Sequence, residues 1–358
     1  MKAIEYDKIY KEEWNDFVKS NYQGRFCNLT GFNEAIRETF GFSSHCWMVK
    51  ENDEILALMS AFECRDFLGR KKMISQPFSE YGGILIKDGI SQAGTDKILE
   101  NVSKYFKDFL ASSKIGFLEV HGGLEIKGDF KKYFEKFPLY QYAVLELDSP
   151  ENLFEKKFNY EVKKAIKKAE RSQVSVFHGL DEKTIKEKFY PLYLLSMKRL
   201  GSPPHHLRYF LNLSKSLKDS IEFFWAEHQG RPTACLLGWK CGQRIQITDT
   251  VSDFKQWETR ANDLLHWEFI KWASLSGFKY FDFGPVRYEG QERYKKKWGC
   301  DFFDYSFYYL SSKKGFYAKK PLDDRDFPIK LLSAVWKKLI PVKLTPILGG
   351  FIRKKLGR

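Results

Sequence analysis

Residues 221–250 read IEFFWAEHQGRPTACLLGWKCGQRIQITDT. Three runs rich in β-branched and aromatic residues, Ile221–Glu227, Arg231–Trp239 and Arg244–Thr250, are separated by the short links HQG and KCGQ. A parallel crossover takes about a dozen residues or more, so strands joined this closely pair antiparallel. That reading excludes a doubly wound parallel sheet. Downstream, Asn262–Leu275 repeats apolar residues at helical spacing, and Tyr280–Phe283 and Phe303–Leu310 read as strands. Upstream, helices are expected over Asn152–Ser172, Thr184–Leu200 and Leu207–Leu217, with a strand at Val174–Phe177.

The N-terminal half repeats this order. Trp14–Val18 and Gly31–Thr39 read as helices, Cys46–Val49 and Ile55–Phe62 as strands, and another strand leads into Ile74. Helix Ile98–Leu110 and strands Phe117–Val120 and Tyr142–Leu147 follow. The expected fold is therefore α/β, of the α+β type: two copies of one module with mixed, largely antiparallel sheets. Asp148-Ser149-Pro150 breaks the chain between a strand and a helix. The domains expected are 1–150, 151–315 and a basic tail over 316–358.

The 358 residues are 43% hydrophobic and 17% aromatic, enough for a large core and incompatible with disorder. No apolar run approaches the roughly 18 residues of a spanning helix. Met1–Tyr6 lacks the apolar stretch of a signal peptide, so a cytoplasmic location is expected. Six cysteines are scattered without a CxxC, which excludes a disulfide framework and structural zinc; no metal is expected. Sixty basic against forty-six acidic residues give +14, a balance that favours anionic partners. Residues 329–358 hold eight basic side chains and no acid. On a helical wheel Ile329, Leu331, Leu332, Val335, Trp336, Leu339 and Ile340 share one half, and Lys330, Lys337 and Lys338 the other. This pattern suits a helix lying on an anionic inner leaflet, or one folded back on the body.

Three stretches carry candidate chemistry. Glu161–Arg171 places Lys163, Lys164, Lys167, Lys168 and Arg171 on one helix face, either a solvated face or a polyanion-binding one. The helix near Asn262 is apolar all round and must be buried. Arg260 and Asn262 at its start could take an anion on free N–H groups, or Asn262 could simply cap it. Phe281–Trp298, FDFGPVRYEGQERYKKKW, breaks at Gly284-Pro285, turns again at Gly290, and clusters Arg287, Arg293 and Lys295–Lys297 beside Tyr288, Tyr294 and Trp298. Such a loop could stabilise an oxyanion, or stack and neutralise RNA. Asp249 and Asp282 fall in strands, where each must be a base or an ion-pair member. Cys300 carries no mark of a nucleophile.

Taken in order, Met73–Leu85 (MISQPFSEYGGIL), Arg199–Pro203 (RLGSP) and Tyr294–Gly299 (YKKKWG) resemble the motifs of the FemAB family and its tandem-GNAT relatives. The helix ending Lys167-Lys168-Ala169-Glu170 and the C-terminal tail are similar as well, the tail to that of the exopolysaccharide-associated branch. The resemblance covers about residues 25–310. It implies two GNAT-like acyltransferase domains and acyl or aminoacyl transfer to an amine on a cell-envelope precursor, such as a muropeptide or an amino-sugar polysaccharide intermediate. It implies a donor that is aminoacyl-tRNA or acyl-CoA, a nucleotide- or lipid-linked acceptor, and no tightly bound cofactor. Lys295 falls at the position tied to the reaction centre. Tyr81, Arg199, Arg287 and Tyr294 are expected at substrate, and Arg260 and Asn262 at donor phosphate. The chain lacks a long heptad-patterned arm for tRNA. The alternatives are an acyl-CoA-dependent sugar N-acetyltransferase and a non-catalytic RNA- or polyanion-binding protein.

Overall fold

The computed structural model describes residues 2–122, 132–311 and 327–357. The chain forms two compact units: Met1–Tyr140 with Asp304–Asp323 and Phe351–Arg358, and Gln141–Phe303 with Asp324–Gly350.

In the first unit, β1 (Lys2–Glu5), β2 (Ser43–Glu51), β3 (Glu54–Arg65) and β4 (Lys71–Ser75) run antiparallel in that order. The short β5 (Leu85–Ile86) pairs with β3, and β6 (Phe117–His121) lies parallel to β4. Helices α1 (Lys11–Ser20) and α2 (Thr30–Phe40) precede the meander, and α3 (Gln92–Ser112) makes the parallel crossover. Ile98, Leu99, Val102, Phe106 and Leu110 of α3 are buried with Trp47, Met59, Leu118 and Val120 of the sheet.

The second unit repeats the plan. It opens on residues 141–146 of β7 (Glu135–Glu146), then α4 (Pro150–Asn152), α5 (Tyr160–Arg171), β8 (Ser175–His178), α6 (Glu182–Thr184), α7 (Tyr190–Leu200) and α8 (Leu207–Ser216). The three strands expected from residues 221–250 are β9 (Ile221–His228), β10 (Arg231–Cys241) and β11 (Arg244–Ser252), antiparallel throughout. Helix α9 (Ala261–Leu275) crosses to β12 (Tyr280–Val286), which is parallel to β11 and antiparallel to β7. Gly238 of β10 admits the α9 helix: a Cβ there would stand 2.5 Å from Phe269 Cζ. Leu265, Phe269, Ile270 and Ala273 are fully buried in the core, with Val162, Ile166 and Ala169 of α5 on the same cluster.

The closing strand β13 (Asp301–Ser311) pairs antiparallel with β6, and residues 304–311 belong to the first unit. Each unit thus takes one closing strand from beyond the expected 150/151 boundary, so the units are not two contiguous pieces of sequence. Of the expected tail, residues 316–326 lie outside the described residues, while α11 (Phe327–Leu339) and α12 (Thr345–Leu356) are helical. No helix among the described residues is long and apolar enough to cross a membrane.

Local departures have local causes. The single helix expected over Asn152–Ser172 is interrupted, because Asn159 caps α5 from an extended conformation and its Oδ1 accepts from Val162 N at 3.1 Å. The helix expected over Thr184–Leu200 carries a wide π-type turn at Ile185–Phe189, just before Pro191, which has no N–H to continue the regular ladder. Gly284-Pro285 does not end its strand. It forms a bulge inside β12, with Gly284 at φ +71°. The segment expected as a basic loop is largely α10 (Glu289–Lys296), with Gly290 inside its first turn.

Candidate active site

Beyond Ser252 at the end of β11, Asp253 Oδ1 accepts from Lys255 N at 3.0 Å and starts the 3-10 turn Phe254–Thr259. Arg260 then adopts a left-handed backbone (φ +59°), a strained conformation for a long side chain, and α9 begins. Among the described residues no side chain caps this helix start. Asp263 N and Leu264 N donate to Arg260 O at 3.0 and 3.3 Å, so the N–H groups of Ala261 and Asn262 and the positive end of the helix dipole are what this start offers to a cavity of about 160 Å³. Its wall includes Ser252, Trp257, Arg260, Asn262, Asp263 and Tyr294.

Asn262 is not the cap. Its Nδ2 donates to Ser252 Oγ at 3.1 Å, and its buried Oδ1 has no hydrogen-bond partner among the described residues. Burial pushes the Asp263 carboxyl up to about 6, against the opposing pull of Arg260 and Lys297. Nearby, His266 Nδ1 lies 2.7 Å from the Asn262 carbonyl oxygen. A carbonyl only accepts, so Nδ1 carries the proton. Tyr294 Oη, 3.3 Å from the same Nδ1, is then at most a weak acceptor there, and its own proton is available to another oxygen. His266 is 3% exposed, and desolvation lowers its pKa to about 4, so the ring is neutral at pH 7.

Four of the expected residues come together here. Arg260, Asn262 and Tyr294 line the cavity, and the Arg199 guanidinium at the end of α7 lies 4.8 Å from the ring centroid of Trp257 in its wall. Lys295 sits differently. It is 7% exposed, and Nζ donates to the carbonyls of Phe283 (2.7 Å), Gly284 (3.0 Å) and Pro285 (2.6 Å). All three ammonium protons are engaged in pinning the β12 bulge. Arg287 is exposed and outside the cavity wall; its backbone N–H bonds Gln291 Oε1 at 2.9 Å. Tyr81 belongs to the first unit, 1% exposed, with Arg25 stacked 4.9 Å from its ring centroid.

The electropositive loop expected around α10 is largely compensated. Arg293 faces Glu289 at 3.7 Å, Lys296 pairs with Glu292 at 2.5 Å, and Lys297 pairs with Glu161. Asp282 is a structural ion-pair member: fully buried, it lies 3.8 Å from Arg244 Nη1 and accepts from Gly284 N at 2.9 Å. Burial raises the pKa of the Cys300 thiol, which keeps it protonated. Among the described residues no group of three or more His, Cys, Asp or Glu could hold a metal ion. Sequence reasoning missed Asp263 and His266. An acid in the first turn of a helix reads as ordinary dipole complementation, and the tyrosine beside His266 is 28 residues away.

Residues 156–296, which include the cavity, match the acetyltransferase (GNAT) domain family. No curated protein matches the sequence. Among solved structures, FemX superposes with a TM-score of 0.68 at 13% identity, covering 87% of this chain and 97% of FemX. The tandem GNAT protein from the clavulanic acid biosynthesis pathway gives 0.55 at 10%, covering 88% and 99%. The L-PGS structure from Bacillus licheniformis gives 0.55 at 11%, covering 93% and 97%. The fold is the FemAB-like tandem GNAT fold, and the family match marks the second unit as an acyltransferase domain.

Proposed function

We propose that the protein is an N-acyltransferase that moves an acyl or aminoacyl group from aminoacyl-tRNA or acyl-CoA to an amine on a cell-envelope precursor, a muropeptide or an amino-sugar polysaccharide intermediate. The observation that carries this reading is the uncapped start of α9, opening on a cavity that holds Asp263, Arg260 and Tyr294 inside the acyltransferase-matching segment.

An amine attacks an ester or thioester only as the free base. Asp263, tuned to about 6, is ionised at pH 7 and takes the ammonium proton. As the C–N bond forms, the carbonyl oxygen becomes an oxyanion. The free N–H groups of α9 and the Tyr294 hydroxyl supply donors, an arrangement worth roughly 3–4 kcal/mol per good donor in a dry site. Collapse of the tetrahedral intermediate breaks the C–O or C–S bond, and the proton that the attacking nitrogen still has to lose passes to the departing tRNA oxygen or thiolate sulfur. Arg260 is suited to the donor's phosphate, and Arg199 to an anionic group of the acceptor. Lys295 joins the oxyanion in this scheme by giving up its longest bond, to Gly284 O. The compensated charges of α10 weigh against the RNA-binding alternative.

The test is a mass-spectrometric screen of acyl-CoA and aminoacyl-tRNA donors against muropeptide and amino-sugar acceptors. An amide product formed by the wild type and lost in Asp263→Asn is expected. Absence of transfer with every pairing would refute the proposal.

A further inference from the structure

Helix α11 and the start of α12 dock on the second unit by one edge and leave the other exposed. Lys198 Nζ of α7 donates to Trp336 O at 2.5 Å and to Ile340 O, and Ser333 Oγ donates to Leu200 O at 3.3 Å. Trp336 is 6% exposed in this contact. Gly349 packs against Pro204 so tightly that a Cβ there would overlap its carbonyl oxygen. The helix is thus fixed, and with it the direction of the opposite face. That face carries Leu331, Leu332, Val335 and Leu339, between 42% and 71% exposed, and Ile347 beyond Pro341 is 69% exposed. Lys330, Lys338 and Lys343 are exposed beside them. The expected apolar half of the wheel is therefore divided: Trp336 faces the body and the leucines face outward. The Ile329 side chain lies outside the described residues.

A row of outward leucines fixed on a folded surface costs hydration unless something covers it. Its flanks are all basic, and residues 329–358 contain no acid. We propose that this face of α11 and the start of α12 is a docking surface for an anionic lipid bilayer. The leucines enter the acyl boundary and the lysines meet the headgroups. The surface is coupled to the cavity. Lys198 and Leu200 hold α11, and Arg199 between them stacks on Trp257 in the cavity wall. Docking would present the active site to acceptors carried in the membrane, a consequence that rests on the acyl-transfer reading.

The experiment is co-sedimentation of the full chain with phosphatidylcholine vesicles, with and without phosphatidylglycerol. Binding is expected only with phosphatidylglycerol, and it should weaken as salt rises. Lys330→Gln and Lys338→Gln should each weaken it about fivefold. Leu332→Glu with Leu339→Glu, both at exposed positions, should weaken it by more than about tenfold with the thermal melt unchanged. Equal binding to neutral vesicles, or indifference to the leucine substitutions, would overturn the proposal. So would a dimer in sedimentation that the leucine substitutions dissociate, since a second copy would then be the occupant. Co-sedimentation needs no donor, so its failure leaves acyl transfer standing, and failure of the transfer screen leaves the docking result intact.

Discussion

Helices α3 and α9 occupy the same place in their modules. Each follows an antiparallel meander, and each leads to a strand parallel to the meander's last strand. Their N-termini are treated oppositely. Ser91 Oγ accepts from Gly94 N at 3.2 Å and closes the start of α3 at an exposed surface. The start of α9 has no side-chain cap among the described residues, a strained Arg260 before it and a half-buried carboxyl in its first turn. In the first unit one chain of buried polar groups is paired within itself. Tyr309 donates to Glu119 Oε2 at 2.6 Å, Glu119 Oε1 lies 2.8 Å from His121 Nε2, and His121 Nδ1 lies 2.9 Å from Ser79 O. One module spends the position on stability and the other leaves donors and an ionisable group facing a cavity. An uncapped, strained helix start is tolerated where it serves a ligand.

Removing Asp263 breaks the asymmetry most directly. Asp263→Asn should lower turnover by about two to four orders of magnitude while the protein stays folded. In the other module, Ser91→Ala should cost roughly 1 kcal/mol of stability and leave turnover unchanged. Turnover and thermal melts of the two variants decide it. If Asp263→Asn keeps near-normal turnover, the open helix start is not the catalytic one.

Lys295 sharpens the comparison next. Lys295→Met should lower turnover by about two orders of magnitude, the usual cost of losing one oxyanion donor. Lys296→Met and Lys297→Met remove solvated ion pairs and should change little. A Lys295→Met protein that melts far lower and recovers its turnover on cooling would confine Lys295 to pinning the carbonyls of residues 283–285.

The buried His266 and the half-buried Asp263 beside the cavity predict a cancellation. His266 has its pKa lowered from 6.5 to about 4, so its contribution to stability is full above 6.5 and is lost as pH falls toward 4. Asp263 is raised from 3.8 to about 6, so its contribution is full below 3.8 and is lost as pH rises toward 6. Each is worth on the order of 3 kcal/mol, with opposite sign. In the wild type these two contributions should therefore nearly cancel from pH 4 to 6. His266→Gln should gain stability as pH falls through that window, and Asp263→Asn should lose it. Urea unfolding at several pH values measures all three; parallel curves would show that neither group is as desolvated as its surroundings imply.

The meander was legible because strand spacing in residues 221–250 permits one pairing, and α9 because its apolar residues surround the axis. Their coarse consequence, two α/β modules with largely antiparallel sheets, followed, and the motif resemblance implied that these are GNAT-like. The exchange of closing strands was not legible, since β7 and β13 carry the same alternation whichever sheet they join. Arg260 and Asn262 were singled out by the helix start, for donor phosphate, and Tyr294 by the motif, for substrate; that the three line one cavity was not legible. The bonding of Lys295 was not, because a lysine in a basic run reads as solvated until the carbonyls of a bulge are seen around it. Charge compensation on α10 could have been found: Glu289–Arg293 and Glu292–Lys296 stand at helical spacing, but Gly284-Pro285 and Gly290 made the segment read as a loop.

Arg199 gives the smallest expected effect. Its guanidinium carbon lies 4.8 Å from the ring centroid of Trp257 in the cavity wall, and the side chain is exposed, so its fork is accessible to an anion. Lysine keeps the charge and loses both the planar stack and the bidentate fork. Arg199→Lys should therefore raise KM for the acceptor several-fold, about 1 kcal/mol, with kcat nearly unchanged. Arg199→Met, which also removes the charge, should raise it further. A stacking role alone would instead be mimicked by Trp257→Leu, which removes the aromatic face under the cation and leaves the guanidinium fork. If Arg199→Lys leaves acceptor KM unchanged, the residue serves only the favourable end of α7, where a cation contributes less than about 1 kcal/mol through the helix dipole.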